Sequence, residues 1–174
     1  MLESGSSLVR QGRWSEPDDP ALSRGRCEVR LDYRAVMPEA VTAMQRLQAV
    51  AETSGLEPKL LELVKLRASQ INGCAYCLDM HTKHAMAIGE DVQRLHVLAA
   101  WREADLYDAR ERAALAWCET LTRLPDTGAE DADFEQASAQ FSPQELVALT
   151  TAIVAINGWN RFAVGFRTPL GGRK

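Results

Sequence analysis

Apolar positions recur at helical spacing along most of the chain. The clearest run extends from Pro58 to Ile71, where leucine, valine and alanine cover more than one side of the predicted helix. Such a helix is expected to be central to the fold or buried against a partner chain. Asn72-Gly73 ends it, and the next helix is predicted from about Cys74 to Ile88.

Other helices follow from the same spacing and from residues that favour helix starts. They are predicted from Pro38 to about Ser54, from Asp91 to about Trp101, after Asp105 as a cap, from about Asp131 to Gln140, and from Pro143, after the capping box Ser142–Glu145, to about Phe166. Asn157-Gly158 and Gly165 are expected to bend or interrupt the last helix. No useful stretch alternates like a half-buried strand, so the prediction is all-α, a compact bundle of about seven helices.

Three segments are predicted to lack helix. Residues 1–26 are rich in Ser, Gly, Arg and Pro, which predicts a poorly ordered N-terminal extension before a helical domain at residues 27–174. Cys27, at the start of that domain, is expected to be inert. Val29 to Tyr33 is predicted to be extended, and Pro125 to Gly128 to form a loop.

Composition narrows the class of protein. The 174 residues suit one domain, and 46% hydrophobic with 25% charged residues is typical of a soluble globular protein. A net charge of -4 argues against a nucleic-acid binder, and no apolar run is long enough to cross a membrane. No export signal is visible, so the four cysteines indicate the reducing cytoplasm, where a close pair is more often catalytic or metal-binding than structural.

The candidate chemistry lies in a Cys-x-x-Cys pair, Cys74 and Cys77, followed by His81. A helix N-terminus favours the reactive thiolate, and two cysteines three residues apart can close a disulfide within one turn. His81 is spaced i+4 from Cys77, which brings an imidazole within reach of that sulfur as a proton acceptor and donor. This spacing favours Cys77 as the attacking thiol and Cys74 as the resolving thiol, and leaves the opposite order open.

Three alternatives compete with redox chemistry at this pair. Zinc is the first, but Cys74 and His84 lie about 15 Å apart along one continuous helix, so one ion cannot take all four Cys and His ligands. A thioredoxin fold is the second, and it requires a strand before the motif, where this chain has a helical pattern. Packed, inert cysteines are the third.

Other titratable residues have ordinary interpretations. His84 is expected on the surface, His96 in the core as a hydrogen-bonded histidine, and Cys118 as a small buried apolar residue on a core stripe. Glu62 is explained by a surface pair with Lys65 at i+3.

A family resemblance then becomes visible in two groups of residues. They are Glu62, Lys65-Leu66-Arg67, Ser69, Asn72-Gly73-Cys74, Cys77 and His81, and later Asn157, Trp159-Asn160-Arg161 and the Arg167–Pro169 tail. Over about residues 30–170 the chain resembles the alkylhydroperoxidase D-like (AhpD-like) branch of the carboxymuconolactone decarboxylase family.

The resemblance implies an all-helical subunit of a homo-oligomer, a trimer or a hexamer, that reduces small hydroperoxides without a bound cofactor. Electrons would come from an external dithiol, such as a lipoylated protein. Cys77 matches the peroxide-attacking cysteine, Cys74 the resolving cysteine, and His81 and Glu62 members of a proton relay. The best-known peroxidases of this branch carry a second relay histidine where this chain has Tyr76.

Two other functions remain open from the sequence. One is a decarboxylase or lactone-transforming enzyme like those in the other branch of that family, which needs no cysteine pair. The other is a redox sensor or assembly protein, without a substrate, in which disulfide formation alters the oligomer.

Overall fold

A computed structural model describes residues 28–170, and within this part of the chain every regular element is a helix. The α-helices are α1 (Tyr33–Val36), α2 (Pro38–Glu52), α3 (Pro58–Ile71), α4 (Ala75–Ala87), α5 (Val92–Val97), α6 (Ala109–Thr122), α7 (Leu124–Thr127), α8 (Asp131–Ser138) and α9 (Pro143–Phe166), with a 3₁₀ turn at Leu98–Ala100. The all-α prediction is confirmed. The predicted extension and Cys27 lie outside the described residues.

Helix α3 is central to the fold, as its apolar sides predict. It packs against α4, α6 and α9. Val64 faces one apolar cluster, formed mainly with α6 and α9, while Leu63 faces a second cluster around Leu98 and Trp101. Because α3 is covered on both sides, polar residues on it are also drawn into the interior, and this is how Glu62 and Lys65 become buried.

Local capping signals were correct at several helix starts. Asp91 caps α5, and Ser142 with Glu145 forms the predicted capping box of α9. The expected interruption of α9 is absent: the helix is continuous through Asn157-Gly158 and Gly165. A Cβ at Gly158 would lie 2.6 Å from Cε of Met44, so the glycine serves the close approach of α2 rather than a break.

Three local predictions were wrong. Helix α6 is capped by Asp108, whose carboxylate accepts from the N–H of Glu111, and not by Asp105. Residues 124–127 form the short α7 instead of a loop. Tyr33 begins α1, capped by Asp32, instead of ending an extended segment. α1 and α7 are four residues each, and these single turns account for the excess over the predicted count of about seven helices.

No helix within residues 28–170 combines the length and the apolar character that crossing a bilayer would require.

The packing of α9 yields a stability prediction. Leu149 is fully buried in the main cluster, whereas Val147, on the same helix, is 67% exposed. Leu149→Ala is expected to lower the free energy of unfolding by about 2–5 kcal/mol because it leaves a cavity. Val147→Ala, the matched control, is expected to change it by less than about 0.5 kcal/mol. Urea unfolding measures both, and equal losses would contradict the assigned burial.

Candidate active site

The break between α3 and α4 places the two cysteines at a helix start. Asn72 caps the end of α3, Gly73 follows with φ +64°, and Cys74 is the N-cap of α4. The left-handed backbone at Gly73 reverses the chain at little cost because glycine lacks a Cβ. Cys74 Sγ thereby accepts a hydrogen bond from the N–H of Cys77 at 3.3 Å, the contact typical of an N-cap side chain.

The two thiols are buried and share their hydrogen bonds. Cys74 and Cys77 are both free thiols and 1% exposed. A hydrogen bond from the Cys77 thiol lowers the pKa of Cys74 to about 7, assisted by the Cys77 N–H and by Asn160 and opposed by burial. Donating that hydrogen bond, together with burial, raises the pKa of Cys77. Of the two thiols, Cys74 is therefore the one that loses its proton more readily.

Glu62 and His81 form a buried pair across the break. Glu62 Oε2 lies 2.8 Å from Nδ1 of His81, and the two side chains come from α3 and α4 respectively. Burial raises the pKa of Glu62, but the hydrogen bond with His81 and the electrostatic attraction to His81 and Lys65 outweigh it, so the pKa lies below its usual range. Glu62 therefore stays ionised and fixes one nitrogen of the imidazole, leaving the other for chemistry.

Lys65 supports the same carboxylate from the next turn of α3. Its Nζ lies 3.0 Å from Glu62 Oε1 and 2.8 Å from Glu52 Oε1. The i+3 pair that the sequence placed on the surface is thus buried, because this side of α3 faces α4 and α2. A buried ammonium is costly unless it is paired with opposite charge, and the carboxylates of Glu52 and Glu62 pair with Lys65 here.

An amide network holds α9 against the cysteines. Asn160, 1% exposed, donates to Ser69 Oγ at 3.1 Å and accepts from Asn72 Nδ2 at 2.8 Å. Asn72 Nδ2 also reaches Asn157 Oδ1 at 3.0 Å. Asn160 also acts to lower the pKa of both thiols, so this residue of α9 is connected to the end of α3 and influences the cysteines at the start of α4.

A cavity of about 550 Å³ opens beside this constellation. It is lined by Tyr33, Arg34, Val41, Gln45, Gln48, Glu52, Lys65, Tyr76, Cys77, Met80, His81, His84, Trp159 and Ala163. Cys77 and His81 thus line the space that a small molecule can enter, whereas Cys74 is not part of its lining. A volume of this size is typical of small-molecule sites.

Tyr76 replaces the expected relay histidine and has a different partner. Its hydroxyl accepts a hydrogen bond from Arg34 Nη2 at 3.1 Å. The Arg34 guanidinium also lies 5.6 Å from the ring centroid of Tyr33 and 5.7 Å from that of Tyr76, within the range of cation–π contacts. Tyr76 therefore holds Arg34 in place, whereas a histidine at this position would provide a second titrating imidazole.

The structure brings together Glu62, Cys74, Cys77 and His81, the four candidate residues, at one site. His84 is exposed as predicted, yet its ring lies 5.9 Å from that of His81. Cys118 is buried as predicted, and burial raises its pKa to about 12. The prediction for His96 was wrong: the side chain is exposed because it lies on the solvent side of the short α5.

Metal-ligand geometry within residues 28–170 occurs in a different set from the one that the sequence suggested. Ligand atoms of Glu62, His81 and His84 lie within 4.8 Å of one another. The cysteines do not belong to this set. The ammonium of Lys65 already neutralises Glu62, which opposes the binding of a further cation there.

Several residues of this site were missed or left without a role. Lys65, Ser69 and Asn160 stand in the recognised motifs, but their side-chain roles require α3 and α9 to be in contact. Arg34 and Glu52 had no sequence signal, because each reaches the site from a helix far from the motif in sequence.

Comparison with known sequences identifies a matching family and a similar bacterial protein. The sequence profile of the carboxymuconolactone decarboxylase family matches residues 38–120. An uncharacterized protein of Bacillus subtilis, YdfG, is 36% identical over 135 residues, which span 78% of this chain and 92% of the relative.

Two solved structures of related proteins are also similar to this chain. ATU0492 of Agrobacterium tumefaciens, a protein of unknown function provisionally assigned to antioxidant defence as AhpD, is 44% identical with a TM-score of 0.81, covering 84% of this chain and all of its own. An uncharacterized peroxidase-related protein of Silicibacter sp. TM1040 is 28% identical with a TM-score of 0.67, covering 77% of this chain and 70% of its own.

The shared proton between the thiols gives a prediction for titration. In a Cys27→Ser, Cys118→Ser background, ultraviolet thiolate absorbance is expected to rise with a midpoint near pH 7, the pKa of Cys74. Replacing the hydrogen-bond donor in Cys77→Ala should move this midpoint up toward the ordinary thiol value of 9.0. The same midpoint with and without Cys77 would show that the thiols do not share a proton.

Proposed function

The chain belongs to the carboxymuconolactone decarboxylase family, and we propose that it is a hydroperoxide reductase of the AhpD-like type. In this proposal Cys77 attacks the peroxide, Cys74 resolves the product, and Glu62 with His81 manages the protons. The electrons come from an external dithiol, of which a lipoylated protein is one example, so no bound cofactor takes part. The homo-oligomeric state, trimer or hexamer, and the cytoplasmic location stay predictions.

One observation carries the proposal: the buried thiol pair lies against the cavity that also reaches His81. Cys77 lines the cavity, so its sulfur can meet a peroxide oxygen, while Cys74 stands behind it with the lowered pKa. A thiolate next to a thiol, with an imidazole on the same side, contains the parts for a two-step dithiol oxidation.

In the first step the Cys77 thiol passes its proton to the Cys74 thiolate and its sulfur attacks the terminal peroxide oxygen. The O–O bond breaks, the S–O bond forms, and the alkoxide takes a proton from His81 to leave as an alcohol. Cys77 becomes a sulfenic acid. Glu62 acts through His81, so it is a positioning residue that holds the ring and stabilises its charge.

In the second step Cys74 gives its proton to His81 and its sulfur attacks the Cys77 sulfur. The S–O bond breaks, the departing hydroxide takes that proton from His81 and leaves as water, and a Cys74–Cys77 disulfide remains. A dithiol then reduces this disulfide by thiol exchange and becomes oxidised itself. The net change is one hydroperoxide and one dithiol converted into an alcohol, water and a disulfide.

Turnover with a dithiol distinguishes the proposed reductase from a decarboxylase and from a redox sensor. A decarboxylase would keep its activity on a carboxylated lactone after loss of both cysteines. A redox sensor would form the disulfide with peroxide, change its oligomer size and stay oxidised in the presence of dihydrolipoamide. A reductase consumes peroxide in proportion to the dithiol supplied.

Substitution of each cysteine tests the roles proposed for Cys77 and Cys74. Wild-type protein is expected to consume cumene hydroperoxide with dihydrolipoamide, and Cys77→Ser to lose at least about a hundredfold in rate because it lacks the attacking sulfur. Cys74→Ser should allow one oxidation of Cys77 and then stop. Peroxide loss and the mass of the Cys74–Cys77 peptide record both results.

Cys118→Ser is the matched control, since this thiol is buried on α6 and hydrogen-bonded to the carbonyl of Val64. It is expected to retain the wild-type rate. Equal rates for wild type and Cys77→Ser would refute the proposed reductase.

The positioning role of Glu62 is tested by removing its charge. Glu62→Gln is expected to lower kcat/KM for an alkyl hydroperoxide by about 10- to 100-fold, because the imidazole loses its charged partner. The loss should be much smaller with a peracid, whose carboxylate leaving group needs no proton from His81. Glu62→Asp should recover part of the rate. An equal loss on both oxidants would indicate a structural defect and not a role in proton transfer.

A further inference from the structure

Arg34 has an unusual place at the mouth of the site. It belongs to α1, a single turn that continues into α2 and that packs on α9 through Tyr33 against Phe162 and Phe166. Its own contacts are with neutral groups: the hydroxyl of Tyr76 and two aromatic rings. The guanidinium is thus held in position beside the residue that precedes Cys77.

The charges around the cavity leave Arg34 without compensation. The other permanent cation of the lining is Lys65, and it is paired with Glu52 and Glu62. Within residues 28–170 Arg34 makes no ion pair with a carboxylate, although it is exposed and charged. His81 is engaged by Glu62, and His84 lies at the exposed rim. For an anion that enters the cavity, the guanidinium of Arg34 is therefore the cation available for pairing.

The remaining walls are suited to an apolar body. Val41, Met80, Trp159 and Ala163 line the same cavity, and the indole N–H of Trp159 is already bonded to Gln48 at 2.8 Å. A guanidinium binds a carboxylate through two parallel N–H donors, which fixes the orientation of the bound molecule. A ligand with one carboxylate and an apolar body would have its polar end at Arg34 and its body along these side chains.

We propose that Arg34, held by Tyr76, is a carboxylate-binding residue, and that the substrates of this site are organic hydroperoxides that carry a carboxylate on an apolar body. The carboxylate pairs with the guanidinium while the hydroperoxide group reaches Cys77. The reactive part of this inference rests on the proposed reductase function, whereas the binding part does not. In this proposal Tyr76, at the position of the relay histidine, orients Arg34 for binding the carboxylate.

Three matched hydroperoxides test the preference: cumene hydroperoxide, its para-carboxylate, and the methyl ester of that carboxylate. Wild-type protein is expected to have a kcat/KM about tenfold higher for the carboxylate than for the ester, the equivalent of one charge-assisted hydrogen-bonded contact. In Arg34→Gln this ratio should fall to about one, mainly through KM, and in Arg34→Lys it should stay intermediate. Tyr76→Phe should reduce the ratio by freeing the guanidinium.

Arg46→Gln is the charge-matched control, because Arg46 is exposed on α2 and lines a separate surface pocket. It should keep the wild-type ratio. A wild-type ratio of about one, or a ratio that survives Arg34→Gln in a protein with unchanged circular dichroism, would overturn the proposal.

A redox-inert ligand separates this inference from the reductase function. Para-isopropylbenzoate is expected to bind to the wild type in calorimetry, about tenfold more weakly to Arg34→Gln, and as in wild type to Arg46→Gln. If no hydroperoxide is consumed but this difference is found, the reductase function fails and the carboxylate site stands. Equal binding to wild type and Arg34→Gln refutes the site even in an active peroxidase.

Discussion

The hydrogen bond between Glu62 and His81 is the constraint on which the rest of the site depends. It joins two consecutive helices across the break at Gly73, and both partners are buried. A buried carboxylate is costly unless it is paired, so the pair requires Lys65 and the close approach of α3 and α4. That approach in turn sets the orientation of α4 and brings Cys77 to the cavity.

The charged groups near the thiols are paired, whereas the mouth of the cavity has an unpaired cation. Lys65 is balanced by two carboxylates, and hydrogen bonds, not a cation, lower the pKa of Cys74. The difference in pKa between the two thiols therefore arises mainly from their hydrogen bonds and burial. Within residues 28–170, Arg34 is the Arg or Lys side chain of the cavity lining that has no carboxylate partner, and two aromatic rings hold it in place without neutralising it.

One fold can support different chemistries, so the function of this chain depends on the residues of its site. In this chain that site combines a dithiol, an imidazole held by Glu62 and an arginine held by Tyr76. Because Tyr76 stands where a relay histidine is expected, the site has one titrating imidazole fewer, and the tyrosine hydroxyl holds Arg34 in place. In the proposed reductase mechanism, proton transfer then depends on His81, and in the proposed carboxylate site, selectivity for charged substrates depends on Arg34.

The sequence by itself determined the all-helical class, the bounds of α3 and α4 and the grouping of Cys74, Cys77 and His81, because these follow from local spacing and from capping. Glu62 was found only through the resemblance. The tertiary structure decided what is buried and what meets: the burial of Lys65, the exposure of His96, and the arrival of Asn160 and Arg34 from distant helices. Such contacts depend on how whole helices pack, and local patterns do not encode that packing.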